Sequence, residues 1–408
     1  MKKRTGIVLA FALSVMATGA ISNKNLAKQD VCAYTSENTC VCRAIETSKE
    51  QEDLQIHAKS AYLMDYESGS VMYAHNEKTH LPIASMCKIM TLILTFDAVK
   101  AGVLDLNEQV CVSERASSMG GSQVFLEANA KYPVKELIKS VVVCSANDSC
   151  VALAERIAGA ENVFVDRMNE RAKGLGANDT LFANCTGLPK EPQYSCAKDV
   201  AVMLKELLTH EEYYEFGKVW LDKFSHPQGR YTEITNTNKL VRQYEGCDGG
   251  KTGFTNQAGF CLAATAKRGD MRVISVAIGA DSSKNRFNDV RSMFDYAFAN
   301  FALQPIVEKG KTLDRTATIK NGKIKEIEIV PARTAYAFAK RGEKTNITLE
   351  FTIQSLNAPI KKGEKVGEIV IFKDNVETDR VAVLANENVE KATLFDRFKD
   401  VAKGWNIR

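Results

Sequence analysis

The sequence predicts an α+β fold in which an antiparallel sheet flanked by helices is followed by a small all-β sandwich domain and a C-terminal amphipathic helix. Three observations predict it. Hairpin-like stretches lie at both ends of the segment from His57 to Ala302, with helix-like runs between them. Thr316 to Ala385 alternates in strand fashion, with Gly and Asn turns and no helical period. From Lys391 to Arg408 the apolar residues recur with the period of one helix face.

The 408 residues exceed one ordinary domain, and the 45% apolar and 25% charged shares are those of a globular protein. A formal charge of +4 with no arginine-rich block gives no basis for a nucleic-acid partner. Lys2, Lys3 and Arg4 precede the apolar run Ile7 to Met16 and the small residues Ala17 to Ala20. That is the layout of a signal peptide over 1–20, with an uncleaved anchor as the alternative, and in either case the chain is expected to be exported. A polar linker, 21–55, carries Cys32, Cys40 and Cys42. Eleven cysteines are an odd number for an exported chain, so at least one thiol is unpaired or paired between chains, and an anaerobic habitat, where thiols persist outside the cell, would also explain the count. The five histidines form no HExxH and the cysteines no paired CxxC, so neither a metal nor another cofactor is expected.

The catalytic candidate, 56–303, opens with "AYLMDYESGSVMYAHNE", two strands around Glu67-Ser68-Gly69. Ile83 to Val99 is apolar almost all round and reads as a buried helix ended by Gly102. Helices are also expected over Asp148 to Ile157 and Val163 to Lys173. "AGFCLAATAKRGDMRVISVAIGA" is a second hairpin turning at Arg268-Gly269-Asp270, and Arg286 to Phe301 is a closing helix. The β domain covers 309–388. In the tail, 390–408, Leu394, Phe395, Phe398, Val401, Ala402 and Trp405 share one face, and Lys391, Arg397, Lys399, Lys403 and Arg408 decorate the rest. Aromatics opposite cations suit a helix lying on an anionic membrane surface; docking on its own protein is the alternative.

Within the first helix, "IASMCKIMT" sets Ser85 three residues before Lys88, on one helix face. A lysine held against apolar walls loses its charge more readily than one in water, which would make it a general base for a serine nucleophile. The spacing recurs in Ser195-Cys196-Ala197-Lys198, where Ser195 reads most simply as a helix N-cap and Lys198 as solvated. Ser85 has companions that Ser195 lacks. "VVVCSANDSC" supplies Ser145-Ala146-Asn147, and "DGGKTGFT" supplies Lys251-Thr252-Gly253 at the head of a strand. SxN is weak alone, since Ser36, Ser283 and Ser355 also begin one, but only one lies between Ser85 and the sole KTG. The ordered triple explains itself chemically: Ser85 as nucleophile, Lys88 as base, Ser145 as proton relay, Asn147 as a grip on a substrate carbonyl. Lys251 and Thr252 offer a cation and a donor to an anionic group, and Gly253 lets a substrate backbone approach.

These residues resemble those of the penicilloyl serine transferases, and in detail the serine D-Ala-D-Ala carboxypeptidases of peptidase family S11, the low-molecular-mass penicillin-binding proteins. "LMDYESGSVMYAHNE", "SANDSCVALAE", "NTNKL", "DGGKTGFTNQAGFCLAATAKRGDMRVISV" and "NRFND" look like that family, in its order, and the likeness runs from His57 to the C-terminus. The resemblance implies a catalytic domain of the β-lactamase/transpeptidase-like type, a β-rich second domain and an amphipathic tail. It implies hydrolysis of peptidoglycan stem peptides ending in D-Ala-D-Ala, acylation of Ser85 by β-lactam antibiotics, and a place on the outer face of the cytoplasmic membrane. By the same resemblance the N–H groups of Ser85 and Phe254 form an oxyanion hole, and Arg286 helps hold the substrate's terminal carboxylate.

Departures and rivals accompany it. Phe254 stands where relatives often carry a polar residue, and "ANCTGLPKE" replaces a more usual Pro-His before Gly187-Leu188. Cys87 and Cys144 beside the motifs are read either as buried apolar thiols or as a redox control on the cleft. A class A β-lactamase shares the motifs but needs a glutamate-bearing loop with no convincing counterpart here, Glu161 and Glu170 lying in ordinary helix. A D,D-endopeptidase acting on cross-links would use the same residues, and a non-catalytic wall-binding module is the reading from another class.

Overall fold

The computed structural model describes residues 54–343 and 346–396, together with the backbone of Gly6–Leu9. Most of the expected signal peptide and linker, with Cys32, Cys40 and Cys42, and the tail from Arg397 onward lie outside the described residues. The chain divides into two compact units, Glu50–Asn300 and one that takes in Phe301–Arg408.

The first unit is built on five antiparallel strands: β1 (Ser60–Asp65), β2 (Val71–His75), β3 (Cys247–Thr255), β4 (Gly259–Arg268) and β5 (Met271–Ala280). Their order across the sheet is β2-β1-β5-β4-β3, so the two expected hairpins meet where β1 pairs with β5. The β4–β5 turn falls at Gly269 and Asp270 as expected. All 10 residues of β5 are buried, because both faces of the sheet are covered. Ile274, Val276 and Ile278 share a core with Val200, Met203 and Leu204. On the other face Ser275 hydrogen-bonds Met293 at 3.5 Å, the period-two alternation of a strand between two layers.

Around the sheet lie α1 (Lys88–Lys100), α2 (Val134–Val143), α3 (Asn147–Ala158), α4 (Glu161–Gly174), α5 (Ala197–Leu207) and α6 (Ser283–Asn300). Three expectations change. The first helix does not run continuously from Ile83: Ala84 takes a positive φ of 47°, and a 3₁₀ turn, Ala84–Cys87, precedes α1. Ser195 is not a helix N-cap; that position belongs to Cys196, while Ser195 is fully buried in an antiparallel bridge to Leu81. Its hydroxyl pairs with Thr180 at 2.8 Å, and Lys198 is solvated as expected. Helix α2 and the hairpin Leu221–Ser225/Tyr231–Thr235 are additional elements. The stripe of α2, Val134, Leu137, Ile138, Val141 and Val142, has helical spacing and is buried throughout.

In the second unit, β6 (Phe301–Val307) pairs with β9 (Ala335–Lys340). A larger sheet is formed by β7 (Thr316–Lys320), β8 (Glu326–Pro331), β10 (Ile347–Ile353), β11 (Lys365–Lys373) and β12 (Val376–Ala385), with Gly6–Leu9 beside β10 and Leu356–Asn357 beside β7. Val307, Ala335 and Ala337 of the small sheet share a core with Ile319, Ile329, Leu349 and Val381 of the large one, so the unit is all-β and two-layered. The tail helix starts later than residue 390. Asp396 accepts from the Thr393 N–H at 2.9 Å and Thr393 Oγ1 accepts from the Asp396 N–H at 3.2 Å, a capping box that leaves Leu394 and Phe395 exposed. Among the described residues no helix is long and apolar enough to cross a membrane.

The buried core between Tyr62 and Ile278 draws on the first unit alone. A chain ending at Asn300 is therefore expected to unfold in one cooperative thermal transition with its near-ultraviolet dichroism intact. A broad, non-cooperative loss of signal would show that the second unit completes the first.

Candidate active site

The 3₁₀ turn brings the first two residues of the site together. With three residues per turn, side chains at i and i+3 lie directly above one another, and Lys88 Nζ sits 3.0 Å from Ser85 Oγ. Lys88 is wholly buried, and its amine also donates to the main-chain carbonyl of Thr186. A charged amine would donate to Ser85; a neutral one would accept the serine proton.

The opposite wall comes from the turn between α2 and α3. Ser145 takes a positive φ of 66° there, and its Oγ accepts from Lys251 Nζ at 2.8 Å. Asn147 opens α3, with Nδ2 donating to the Gly120 carbonyl at 2.7 Å. Its buried Oδ1 has no partner among the described residues, so the atom left for a ligand is an acceptor. The expectation of a grip on a carbonyl thus meets a nitrogen already engaged.

Strand β3 forms the third wall. Lys251 is buried and donates to Ser145 and to the Thr252 carbonyl at 3.1 Å; Thr252 Oγ1 donates to Thr237 Oγ1 at 2.8 Å. Gly253 permits the approach of β3 to the nucleophile: a Cβ there would stand 2.6 Å from the Ile83 carbonyl oxygen and 3.2 Å from the Ser85 nitrogen. Gly187 does the same from the other side, where a Cβ would lie 2.0 Å from the Ala84 carbonyl oxygen. Phe254 is 52% exposed and packs on Phe260 with ring centroids 4.4 Å apart. Arg286, on α6, donates to the carbonyls of Gly253 at 3.1 Å and Cys261 at 3.3 Å. Burial lowers its guanidinium to about 10, which still leaves it charged at neutral pH.

Burial, and then the neighbouring Lys88, hold the Lys251 amine well below the usual lysine range. The two cysteines beside the motifs are the opposite case. Burial pushes Cys87 and Cys144 up to about 12, and their Sγ atoms donate to the carbonyls of Asn184 and Ser140, each at 3.2 Å. Neutral thiols of this kind are poor nucleophiles towards oxidants, which favours packing over redox control.

The structure brings together Ser85, Lys88, Ser145, Lys251, Thr252 and Gly253, with Asn147, Phe254 and Arg286 bordering them. It keeps Ser195 and Lys198 out, in their bridge and on the surface. Sequence reasoning missed the carbonyls of Thr186 and Gly120, which have no side-chain signature, and the hydroxyl of Thr237, which sits within "NTNKL".

A depressed lysine is charged more readily unfolded than folded, so Lys251 costs stability below its folded pKa. That cost shrinks as pH rises towards 10.5, the unstrained value. Thermal midpoints of the parent and of Lys251→Met, compared at intervals from pH 6 to 10, should show the parent gaining on the variant as pH rises. A constant or widening deficit would contradict the buried charge.

Comparison with known proteins completes the picture. Residues 46–282 match the peptidase S11 family, described as D-alanyl-D-alanine carboxypeptidase, and residues 301–391 match the penicillin-binding protein 5 C-terminal domain. The chain is 38% identical to the D-alanyl-D-alanine carboxypeptidase DacF of Bacillus subtilis, over 89% of this chain and 93% of that one. It is 32% identical to the D-alanyl-D-alanine carboxypeptidase DacC of Escherichia coli, over 85% of this chain and 87% of that one. A solved structure of a peptidoglycan synthesis regulatory factor (PBP3) from Streptococcus pneumoniae superposes with a TM-score of 0.73 at 27% identity, covering 82% of this chain and 100% of that one. With the nucleophile turn, the SxN turn and the KTG strand assembled around one serine, the chain belongs to the peptidase S11 family of serine D-alanyl-D-alanine carboxypeptidases.

Proposed function

We propose that the enzyme removes the terminal D-alanine from peptidoglycan stem peptides through an acyl-enzyme on Ser85. The observation that carries this reading is the pair of amine–hydroxyl contacts in one site, Lys88 to Ser85 at 3.0 Å and Lys251 to Ser145 at 2.8 Å. Ser85 Oγ attacks the carbonyl carbon of the penultimate D-Ala as its proton passes to Lys88 Nζ. The N–H groups of Ser85 and Phe254 receive the developing oxyanion. The D-Ala amine leaves with a proton relayed through Ser145, and water then releases the shortened peptide.

Lys251 and Thr252 face the terminal carboxylate. Arg286, bonded to the Gly253 and Cys261 carbonyls, adds positive charge from behind the strand. Asn147 Oδ1, without a partner among the described residues, accepts from a peptide N–H. A β-lactam enters by the same route, its ring amide standing in for the scissile bond. The work takes place outside the cytoplasm, and the exposed Leu394 and Phe395 at the start of the tail suit contact with the outer face of the cytoplasmic membrane.

D-Alanine release from a blocked Lys-D-Ala-D-Ala peptide tests the reading. The parent should release it, and Ser85→Ala should fall to background. Acylation by penicillin without release, followed by cleavage of a cross-linked dimer, would replace the carboxypeptidase by an endopeptidase.

A further inference from the structure

The catalytic lysine depends on a backbone oxygen, and that oxygen belongs to a turn of unusual construction. Thr186 offers its carbonyl to Lys88 Nζ from the segment "ANCTGL", over 183–188. One side chain organises that segment. Asn184 Oδ1 accepts from the Thr186 N–H at 3.1 Å, the Thr186 hydroxyl at 3.2 Å and the Gly187 N–H at 2.7 Å. Its Nδ2 donates to the Leu188 carbonyl at 2.8 Å. The turn is also clipped to the nucleophile's own elements: Cys87 Sγ donates to the Asn184 carbonyl at 3.2 Å and Thr91 Oγ1 to the Cys185 carbonyl at 2.7 Å. Asn184 is 8% exposed, too enclosed to serve as a surface contact for substrate.

We propose that Asn184 is a positioning residue for acylation, acting through the Thr186 carbonyl to set the Lys88 amine against Ser85. The bond from the Gly187 N–H fixes the direction of the Thr186 carbonyl, because that N–H and that carbonyl share one peptide plane, and the bonds from the Thr186 N–H and hydroxyl hold the preceding peptide and the side chain to the same acceptor. With the carbonyl fixed, one hydrogen of the amine is spent on it, and the remaining face of the nitrogen is turned to the serine. Cys87 has a complementary part, in that its thiol holds the other end of the Asn184 residue. The inference rests on Lys88 being the base that receives the Ser85 proton.

The test is the second-order rate of acylation by benzylpenicillin as a function of pH, in the full chain. Asn184→Ala should lose about a hundredfold, the scale of an ångström-sized misplacement. The acidic limb of its profile should move relative to the parent's, since the Thr186 carbonyl to which the amine donates is no longer held in place. Asn169→Ala is the structural control. Asn169 holds Phe182, at the other end of the same loop, by bonds of 2.8 and 3.0 Å, and has no line to the amine. It should lower the thermal midpoint without moving the limb. Asn184→Asp keeps the acceptor oxygens and should stay within about tenfold of the parent, which preserves the test should the alanine variant fail to fold. An alanine profile that superposes on the parent's, or an aspartate variant as slow as the alanine one at an unchanged thermal midpoint, overturns the role of Asn184. A parent that benzylpenicillin does not acylate, or a Ser85→Ala variant that it does, overturns the functional reading instead.

Discussion

Two amines are buried in one site, and their hydrogen bonds go to neutral oxygens. Lys88 reaches Ser85 and the Thr186 carbonyl; Lys251 reaches Ser145 and the Thr252 carbonyl. Two like charges in a region of low dielectric repel strongly, and burial compounds the cost. The consequence appears on Lys251, whose charged form is disfavoured first by burial and then by Lys88. Stability is thus spent to hold two amines beside two serines, and every wall of the site is shaped by the need to keep these amines in place.

That need accounts for the strained and crowded backbone around them. Ala84 and Ser145, each next to or within a motif, carry positive φ values of 47° and 66°. Gly187 and Gly253 bring flanking segments against the nucleophile turn closer than any Cβ allows. The strain is borne by a rigid frame, with β5 buried along its length and α1 buried on most of its faces. Such concentration of unfavourable geometry at one place is expected where chemistry, not stability, sets the conformation.

Much of this was legible in the sequence because side-chain identity carried it. The ordered serine, lysine, asparagine and glycine positions, both hairpins and the period-two alternation of the second domain required only spacing. What stayed hidden was carried by backbone. The carbonyls of Thr186 and Gly120 belong to no residue type, and the 3₁₀ turn arises from a positive φ at an alanine, which no propensity favours. Ser195 was misread for a related reason: N-cap chemistry is local, whereas its bridge to Leu81 is a long-range pairing. The cysteines beside the motifs gave a false prominence, since burial makes them neutral donors that tie loops to helices.

Two serines stand in SxxK settings, Ser85 and Ser195, and the nucleophile is the one that becomes acylated. Mass mapping of peptides after brief exposure of the intact enzyme to benzylpenicillin addresses this directly. A single adduct on the peptide containing Ser85, absent from Ser85→Ala and retained in Ser195→Ala, is the predicted result. An adduct on Ser145 or Ser195, or one that survives in Ser85→Ala, would contradict it.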